Sequence, residues 1–500
     1  MQLDCIIQTC SPVHVGCGEV YEPTGFVMDE TRQCLKVFDP LSFIAQLPPQ
    51  QLAQFSEICQ AGHPASLQDL YKFMHRQSVN GREIQVCKGF VNHYDQVLKK
   101  SKQEFTNALT QFAIERTSFC AHDQRAYLPG SSVKGALRTA FLNMMAANMF
   151  HVKTRDSKEL EAKLLGLSRK NDLFQKDPFR EVKVSDFMPV GNIEQKVIYA
   201  VDVKKKSSES GTYQILETIQ PGAMFRGTLT FDFHEIRSLL KSRKLAHDNA
   251  IDSFRQACRQ FYMHERSIEL QETSNMQVDD TGYFSRPEDI PLRVGRHSGA
   301  TCVTIEGYRQ IKIKNLNKCL DHATTIWLAC NDRKFKLQVK SYPFGWVKLN
   351  MLTSQDKQVL DNLESQFQKD RSQLQAERAR QQKEAAIRIE AEKQKALEQA
   401  KAAEEASRMK ALEQEKRNAM SDEDRRLYDI DHDNIPFDKI KGFIKDLGDI
   451  QDSSYQVKLA TAIKSALMRH NEWDLKKYSK KQKKKYKPRN ESIEAIISKG

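Results

Sequence analysis

Alternating apolar and polar positions open the chain. Leu3, Cys5 and Ile7 fall on every second position, and this alternation predicts a half-buried strand. The apolar runs 26–29 and 35–38 lie on either side of a polar turn, which predicts a β-hairpin. The beginning of the chain is therefore predicted to be β-rich.

Helical patterns follow the hairpin. Asp39-Pro40 is typical of an N-cap followed by a first-turn proline, and residues 50–120 have mostly helical spacing. The sequence PGSSVKGALR begins a further helix, in which apolar residues recur three or four positions apart. Ser131 or Ser132 is predicted to be its N-cap, because a serine side chain accepts a hydrogen bond from a free helical amide.

Strands return between residues 182 and 232. Four β-branched or aromatic runs, separated by turn residues, predict them: VKVSDF, KVIYAVDV, TYQILETI and FRGTLTF. Residues 234–270 then have a helical pattern. Because strands and helices are interleaved twice, we predict an α+β fold with two sandwiches, and a ferredoxin-like pattern fits it.

The composition changes after residue 353. Residues 354–419 are mainly Glu, Lys, Gln, Arg and Ala, without Gly or Pro, and predict a long charged helix. Apolar heptad positions are poorly sustained, so both a single exposed helix and a paired coiled coil stay open. Residues 421–500 regain apolar residues at helical spacing and predict a small basic module.

One stretch of this module is strongly basic. The lysine segment, Lys476–Arg489, has nine basic residues and no acidic one. Trp473, Tyr478 and Tyr486 lie in or beside it. Lysines neutralise phosphates and aromatic rings stack on bases, but the same composition is also typical of a solvated surface. Both interpretations stay open.

The chain as a whole is also basic. A net charge of +13 and a pI near 9.0 favour a polyanionic partner, either nucleic acid or an anionic membrane surface. The eleven cysteines form no C-x-x-C pair, which argues against a zinc ribbon and suits a reducing cytosol. No run approaches the roughly 18 apolar residues of a membrane span, and the start does not resemble a signal peptide. We therefore expect a cytoplasmic protein without a membrane partner.

Three segments are candidates for binding an anion. The helix start, Pro129–Arg138, combines free helical amides with Lys134 and Arg138 on one face, although an ordinary capped helix also fits the pattern. Its spacing differs from that of a nucleotide P-loop. In the arginine loop, Arg293–Gly299, the glycines can expose backbone amides to phosphates and the arginines can bind the same phosphates through two nitrogens each. An ordinary basic turn also fits this pattern.

The third segment is the first loop, Ser11–Gly25, which contains His14, Gly16 and Gly18. A histidine at this place is either a general base for a ribose 2′-hydroxyl or a structural hydrogen-bonding residue. No second catalytic group accompanies it, and H-E-x-x-H, G-x-S-x-G and paired metal carboxylates are lacking. We therefore expect no metal and no cofactor.

Five motifs in order carry a family resemblance: TCSPVHVGCGEVYEP, YLPGSSVKGALRTA, IQPGAMFRGTLTF, LRVGRHSGA and YPFGWVKL. They resemble the fifth Csm subunits of type III-A CRISPR systems, a family within the RAMP superfamily. Several RAMP proteins share the PGSS-x-KGA-x-R element, whereas the S-P-x-H-x-G-x-G, R-x-G-R-x-x-G and P-x-G-W elements are narrower. The resemblance covers roughly residues 1–350.

The resemblance implies two ferredoxin-like, RNA-recognition-like RAMP domains with helical insertions. The predicted domains are an N-terminal RAMP domain (1–180), a second RAMP-like domain (181–353), the long charged helix (354–420) and the basic helical module (421–500).

The resemblance also implies an RNA-binding subunit of the Csm ribonucleoprotein that acts in antiviral defence. Such a subunit caps the guide-RNA (crRNA) 3′ region beside the repeated backbone subunit, binds target RNA, and supports guide maturation by host nucleases. The RNA contacts carried over by motif are Ser11, His14, Gly16, Gly18, Ser131, Ser132, Lys134, Arg138, Arg293, Gly295 and Arg296.

Catalysis is not implied by the resemblance. Related backbone subunits cut target RNA with an aspartate after the first strand, and Thr24 or Gly25 occupies that place here. Asp29 and Glu19 lie close enough to that place along the chain to leave residual cleavage open. Two alternatives stay open: a metal-independent CRISPR-repeat endoribonuclease with His14 as base, and an interaction protein whose long helix tethers partners.

Overall fold

The computed structural model describes residues 1–149, 154, 156–232, 234–242, 245, 250–279, 281–313, 318–433 and 435–499, with only the backbone described for 108–111, 170, 250 and 382. The chain divides into two compact units, Met1–Lys383 and Glu384–Gly500. The first contains all the strands of the described residues.

The strands are mostly short. In chain order they are β1 (Gln2–Thr9), β2 (Gly16–Val20), β3 (Phe26–Asp29), β4 (Cys34–Val37), β5 (Arg82–Val86), β6 (Ile114–Thr117), β7 (Val182–Val184), β8 (Met188–Val190), β9 (Gln195–Lys204), β10 (Ser210–Ile219), β11 (Met224–Phe231), β12 (Ile290–Arg293), β13 (Ile311–Ile313), β14 (Lys318–Leu320), β15 (Thr325–Cys330), β16 (Tyr342–Pro343) and β17 (Trp346–Met351).

The α-helices vary widely in length. They are α1 (Pro40–Ala45), α2 (Pro49–Gln60), α3 (Ser66–His75), α4 (Lys88–Lys99), α5 (Lys102–Phe112), α6 (Gly130–Ala147), α7 (Ser157–Leu164), α8 (Leu173–Lys176), α9 (His234–Ser242), α10 (Ala250–Glu272), α11 (Ser354–Asn418), α12 (Asp422–Asp431), α13 (Phe437–Asp446), α14 (Ser453–Arg469) and α15 (Lys480–Ile497). The part of the predicted 234–270 helix at 243–244 and 246–249 lies outside the described residues.

Two main sheets organise the first unit. The first sheet has the order β12-β17-β1-β11-β7, with β8 also paired to β11, and every pairing is antiparallel. The second sheet has the order β2-β6-β10-β9-β5-β4-β3, with β15 on β9 and β16 on β15. Its β6–β10 and β5–β9 pairs are parallel. Each sheet takes strands from both sides of residue 180, and the predicted 180/181 boundary stays a prediction.

Each sheet is covered by helices. Buried residues of α6 and α10, such as Phe141 and Phe254, pack with Ile7 and Trp346 of the first sheet in one hydrophobic cluster. A second cluster joins the second sheet to α3, α4 and α5 and includes Tyr94. This layered arrangement of helices on sheets confirms the predicted α+β class.

The local patterns near the start of the chain are confirmed. Cys5 and Ile7 of β1 are fully buried and alternate with half-buried neighbours. The predicted hairpin is formed by β3 and β4, with Phe26 opposite Val37. Asp39 caps α1, and its carboxylate accepts a hydrogen bond from the Ser42 amide at 2.8 Å.

The predicted cap of α6 is wrong. The helix begins at Gly130 with Pro129 as N-cap, so Ser131 and Ser132 already lie within the first turn. The Gly130 amide donates to the Asp186 carboxylate at 2.8 Å, and a residue distant in sequence therefore supplies the cap. A Cβ on Gly130 would lie 2.5 Å from the carbonyl oxygens of Val184 and Ser185, which explains why glycine begins this helix.

The helix α11 is 65 residues long and begins at Ser354. Its first turns lie within the first unit and pack against the rest of it: Leu360 is buried, and Glu364 accepts hydrogen bonds from both terminal nitrogens of Arg125 at 3.0 and 2.9 Å. The Arg125 guanidinium also lies 4.4 Å from the ring centroid of Phe367.

The second unit has a hydrophobic cluster of its own. Ile430, Ile440, Ile463 and Ile493 are fully buried, each contributed by a different helix from α12 to α15. The basic module is thus a small helical bundle in which α14 lies against α12, α13 and α15.

Candidate nucleic-acid interface

The first loop and the arginine loop are joined through their backbones. The Arg296 amide donates to the His14 carbonyl at 2.8 Å, and the Val294 amide donates to the Gly345 carbonyl at 2.8 Å. The Gly345 amide in turn donates to the Pro12 carbonyl at 2.9 Å. These hydrogen bonds therefore hold the first loop, the arginine loop and the turn at Gly345 together.

Two glycines make this close approach possible. Gly295 has φ +82° and Gly345 has φ +87°, a region that side-chain-bearing residues rarely adopt. A Cβ on Gly295 would overlap the carbonyl oxygen of His14, and one on Gly345 would lie 2.5 Å from the carbonyl oxygen of Val294.

The helix start completes the arrangement. A pocket of about 380 Å³ is lined by residues of the first loop, the helix start and the arginine loop together, including Gly16, Ser132, Gly135, Thr139, Gly295 and Arg296. Gly16, Gly135 and Arg296 are exposed, while Ser132, Thr139 and Gly295 are half-buried. The structure therefore brings together the three segments that were predicted separately as anion sites.

The pocket offers hydroxyls, bare backbone and one exposed cation. Apart from the backbone of α6 itself, no heavy atom lies within 4 Å of a Cβ built on Gly135, so a polynucleotide backbone can approach the helix surface there. Arg296 extends at the rim, with its side chain 42% exposed and paired with the Glu115 carboxylate. Such groups suit contacts to phosphate and sugar.

Arg293 has a different environment from Arg296. Its guanidinium is buried, pairs with the Glu269 carboxylate at 2.6 Å, and donates from Nε to the Phe344 carbonyl at 2.9 Å. It also lies 4.8 Å from the ring centroid of Trp346. These contacts hold the arginine loop against β17, and they leave Arg296 as the exposed arginine of this loop.

The two cations of the helix start also differ. Arg138 pairs with Asp177 at 2.6 Å and Glu161 at 2.9 Å, so its charge is balanced within the protein. Lys134 forms no ion pair among the described residues; burial and the nearby Arg138 lower its pKa, opposed by the charge of Asp177. Ser131 is exposed at the same helix end.

Ser11 and His14 lie beneath the surface. Ser11 is fully buried, and its hydroxyl accepts a hydrogen bond from the Trp346 amide at 2.9 Å. His14 is also fully buried, and its Nδ1 donates to the Glu217 carbonyl at 2.8 Å. Burial lowers the pKa of His14, chiefly because it disfavours the charged ring. Gly18, with φ +83°, is exposed.

The family model described as the RAMP superfamily matches residues 6–429. The chain belongs to the RAMP superfamily. The match extends beyond the last predicted family motif, into the long helix and α12.

This RAMP superfamily protein is similar to a curated relative, the CRISPR system Cms protein Csm5 of Methanocaldococcus jannaschii. The two are 23% identical over 403 residues, which cover 70% of this chain and 89% of the relative. A chain in the cryo-EM structure of a type III-A Csm–crRNA–target RNA ternary complex matches with a TM-score of 0.47 and 19% identity, covering 70% of this chain and 100% of that one. The crystal structure of T. onnurineus Csm5 matches with a TM-score of 0.43 and 18% identity, covering 69% of this chain and 99% of that one.

Asp29 and Glu19, the two carboxylates considered above for residual cleavage, both have partners. Asp29, at the end of β3, pairs with Lys36 at 2.8 Å and accepts from the Arg32 amide, and these contacts lower its pKa. Glu19 pairs with Arg116 at 3.3 Å. Within the described ranges, no group of three or more His, Cys, Asp or Glu side chains is placed to hold a metal.

Glu217 is a supporting residue that the sequence interpretation missed. Its fully buried carboxylate accepts from Tyr21 at 2.8 Å, Gln195 at 2.7 Å and the Thr117 amide at 3.2 Å, while its carbonyl holds His14. A charged residue inside the β-run TYQILETI was the available signal. In the part of the chain that the structure describes, no helix is long and apolar enough to cross a membrane.

Proposed function

We propose that this RAMP superfamily protein is a non-catalytic RNA-binding subunit of a type III-A CRISPR (Csm) ribonucleoprotein. It would cap the guide-RNA 3′ region, support guide maturation and contribute to target RNA binding in antiviral defence. The observation that carries this proposal is the convergence of the first loop, the helix start and the arginine loop on one pocket. The similarity to a CRISPR system protein named Csm5 supports the setting.

The proposed partners follow from this setting. They are guide RNA, target RNA and other Csm subunits, chiefly the repeated backbone subunit, together with host nucleases that trim the guide. We also propose that residues 1–180 and 181–353 are two ferredoxin-like RAMP domains with helical insertions.

The pocket fits the backbone of RNA better than its bases. Exposed Gly16 and Gly135 leave room for an RNA strand, the Ser132 hydroxyl can donate to a phosphate or sugar oxygen, and Arg296 supplies positive charge. Contacts of this kind give affinity that depends on salt and little on sequence. Ser11, His14 and Arg293 support this surface from beneath.

A non-catalytic role is supported by the position of His14. A general base must come within hydrogen-bonding distance of the 2′-hydroxyl, and the His14 ring has no exposed surface. Incubating the purified protein with labelled precursor RNA separates the alternatives. Cleavage that disappears in His14→Ala, in a variant that remains folded, would establish the endoribonuclease instead.

The binding role is tested by charge removal in the full chain. We expect Lys134→Ala and Arg296→Ala to weaken guide-RNA binding by a similar factor for all sequences, about 5-fold each near 0.1 M salt, and to lower the salt dependence. A filter-binding titration over a range of salt concentrations measures both quantities.

Arg32→Ala is the matched control. Arg32 is an exposed arginine on the β3–β4 hairpin that pairs with Glu83, much as Arg296 pairs with Glu115, but it belongs to none of the three segments that meet at the pocket. Its removal should leave affinity unchanged. Equal binding by all three variants and the wild type would refute the proposed site.

A further inference from the structure

The lysine segment of the second unit is not used by the pocket. It begins in the turn before α15 and continues through the first turns of that helix. Lys480, Lys481, Lys483, Lys484 and Lys485 are all exposed. Nine of the segment's fourteen residues are basic, against a net charge of +13 for the whole chain, so a large share of the protein's excess charge is concentrated here.

These five lysines have no carboxylate partner among the described residues. The next basic residues do have one: Lys487 approaches Glu491 at 3.6 Å, and Arg489 approaches Glu472 at 3.7 Å. The exposed lysines of α11 differ again, because glutamates are interspersed among them, as with Glu390 before Lys393. The charge of the lysine segment is therefore not balanced within the protein.

This arrangement works against the stability of the helix. Lysines four positions apart repel one another, as in the pairs 480/484, 481/485 and 483/487. Positive charge at a helix N-terminus also opposes the helix dipole, and the first turn of α15 contains no acidic residue. The later part of the helix is anchored by buried Ile493 and by Asn490, which donates to the Trp473 carbonyl at 2.8 Å. A bound polyanion would relieve the repulsion.

Two tyrosines lie beside the lysines. The rings of Tyr478 and Tyr486 are 4.9 Å apart between centroids, and both residues are half-buried. The Arg489 guanidinium lies 4.7 Å from the centroid of Tyr486. Aromatic faces next to a row of cations suit bases and phosphates of a single strand.

We propose that the lysine segment is a second RNA-binding surface, which takes single-stranded RNA by its phosphates and stacks bases on Tyr478 and Tyr486. The site goes beyond the proposed pocket and does not depend on it. A membrane surface is a poorer fit, since an interfacial helix needs exposed apolar side chains. Among the described residues after Met468, no large apolar side chain is strongly exposed.

The test uses the full chain with four substitutions, Lys481→Gln, Lys483→Gln, Lys484→Gln and Lys485→Gln. Fluorescence anisotropy with a labelled oligouridine of about 15 nucleotides reports affinity over a range of salt concentrations. We expect at least a roughly 10-fold loss of affinity near 0.1 M salt, and a salt slope smaller by about 0.7 for each phosphate that the variant no longer neutralises. Circular dichroism checks that helix content is retained.

The matched control removes the same charge from α11. Lys393→Gln, Lys395→Gln, Lys401→Gln and Lys410→Gln change four exposed lysines among glutamates and should leave affinity and slope near wild-type values. Tyr478→Leu with Tyr486→Leu should weaken binding without changing the slope, because stacking releases no counterions.

Two results would overturn the proposal. One is wild-type affinity and slope in the four-lysine variant. The other is lysine-dependent binding to phosphatidylserine vesicles that is tighter than binding to RNA, which would make the segment a membrane surface. Repeating the titration with Arg296→Ala in both backgrounds separates this site from the pocket, because two independent sites lose affinity independently.

Discussion

Gly295 lies directly against the main-chain carbonyl of His14, and the next amide, that of Arg296, donates to the same oxygen at 2.8 Å. This contact joins residues 281 positions apart and fixes the arginine loop on the first loop. The pocket exists because the backbone can approach itself so closely at this point.

Gly295→Ala should therefore destabilise the protein. The substitution adds a Cβ where the His14 carbonyl lies and keeps a left-handed backbone, so we expect a loss of more than about 2 kcal/mol in the free energy of unfolding. Urea unfolding measures this loss.

Gly18→Ala is the control: Gly18 has nearly the same φ, but no atom lies within 4 Å of its added Cβ, so only about 1 kcal/mol of backbone strain remains. Equal losses would contradict the role given to the carbonyl contact.

Substitutions of Arg293 and of Arg296 should have separate effects, the first on the stability of the fold and the second on RNA binding. Arg293→Met leaves Glu269 buried without one of its partners, which costs about 3–5 kcal/mol. Arg296→Ala breaks an exposed pair, which costs about 1 kcal/mol or less, but it removes charge from the rim of the pocket. Thermal unfolding and RNA titration of both variants check this. Similar unfolding temperatures for the two variants would show that the buried Arg293–Glu269 pair contributes no more to stability than the exposed Arg296–Glu115 pair.

The sequence predicted local structure better than the site. Alternation in β1 and the turn between β3 and β4 are local signals, so both were recognised from the residues. The cap of α6 was misassigned because its partner, Asp186, lies 56 residues away. Arg293 and Arg296 were predicted alike because they share one loop, and only the packing of β12 on β17 decides which is buried. The family motifs nevertheless named the segments that line the pocket.

His297 should make stability depend on pH. Burial, reinforced by the charges of Arg296 and His14, lowers its pKa from 6.5 to about 3. The unfolded chain then binds a proton below pH 6.5 that the folded protein does not, so this contribution is complete above pH 6.5 and is lost as the pH falls towards 3. The slope is up to about 1.4 kcal/mol per pH unit.

His297→Asn tests this contribution. Asparagine tolerates the positive φ of this residue, +65°, but it loses the stacking on Trp327 at 4.2 Å. We expect the variant to be less stable at pH 7 and its stability to fall less steeply between pH 6.5 and 5, as measured by urea unfolding. Above pH 7 the difference from wild type should be constant. Parallel curves down to pH 5 would exclude His297 as a source of the pH dependence.

Glu364 should hold the first turns of α11 against the rest of the first unit. Burial raises its pKa, but hydrogen bonds from Arg125, Gln368 and the Gly191 amide outweigh that effect and keep the pKa below its usual value. Glu364→Gln removes the charge and one acceptor from a pair that is largely shielded from water, at a cost of about 1–3 kcal/mol. The amides of residues 357–371 should then exchange hydrogen faster, as followed by mass spectrometry on the full chain.

Asp361→Asn is the control, because Asp361 pairs with Arg226 while its side chain is 64% exposed, and exposed pairs contribute little. Unchanged exchange in Glu364→Gln, or an equal increase in Asp361→Asn, would show that the buried side chain of Leu360 holds the helix without the Arg125–Glu364 pair.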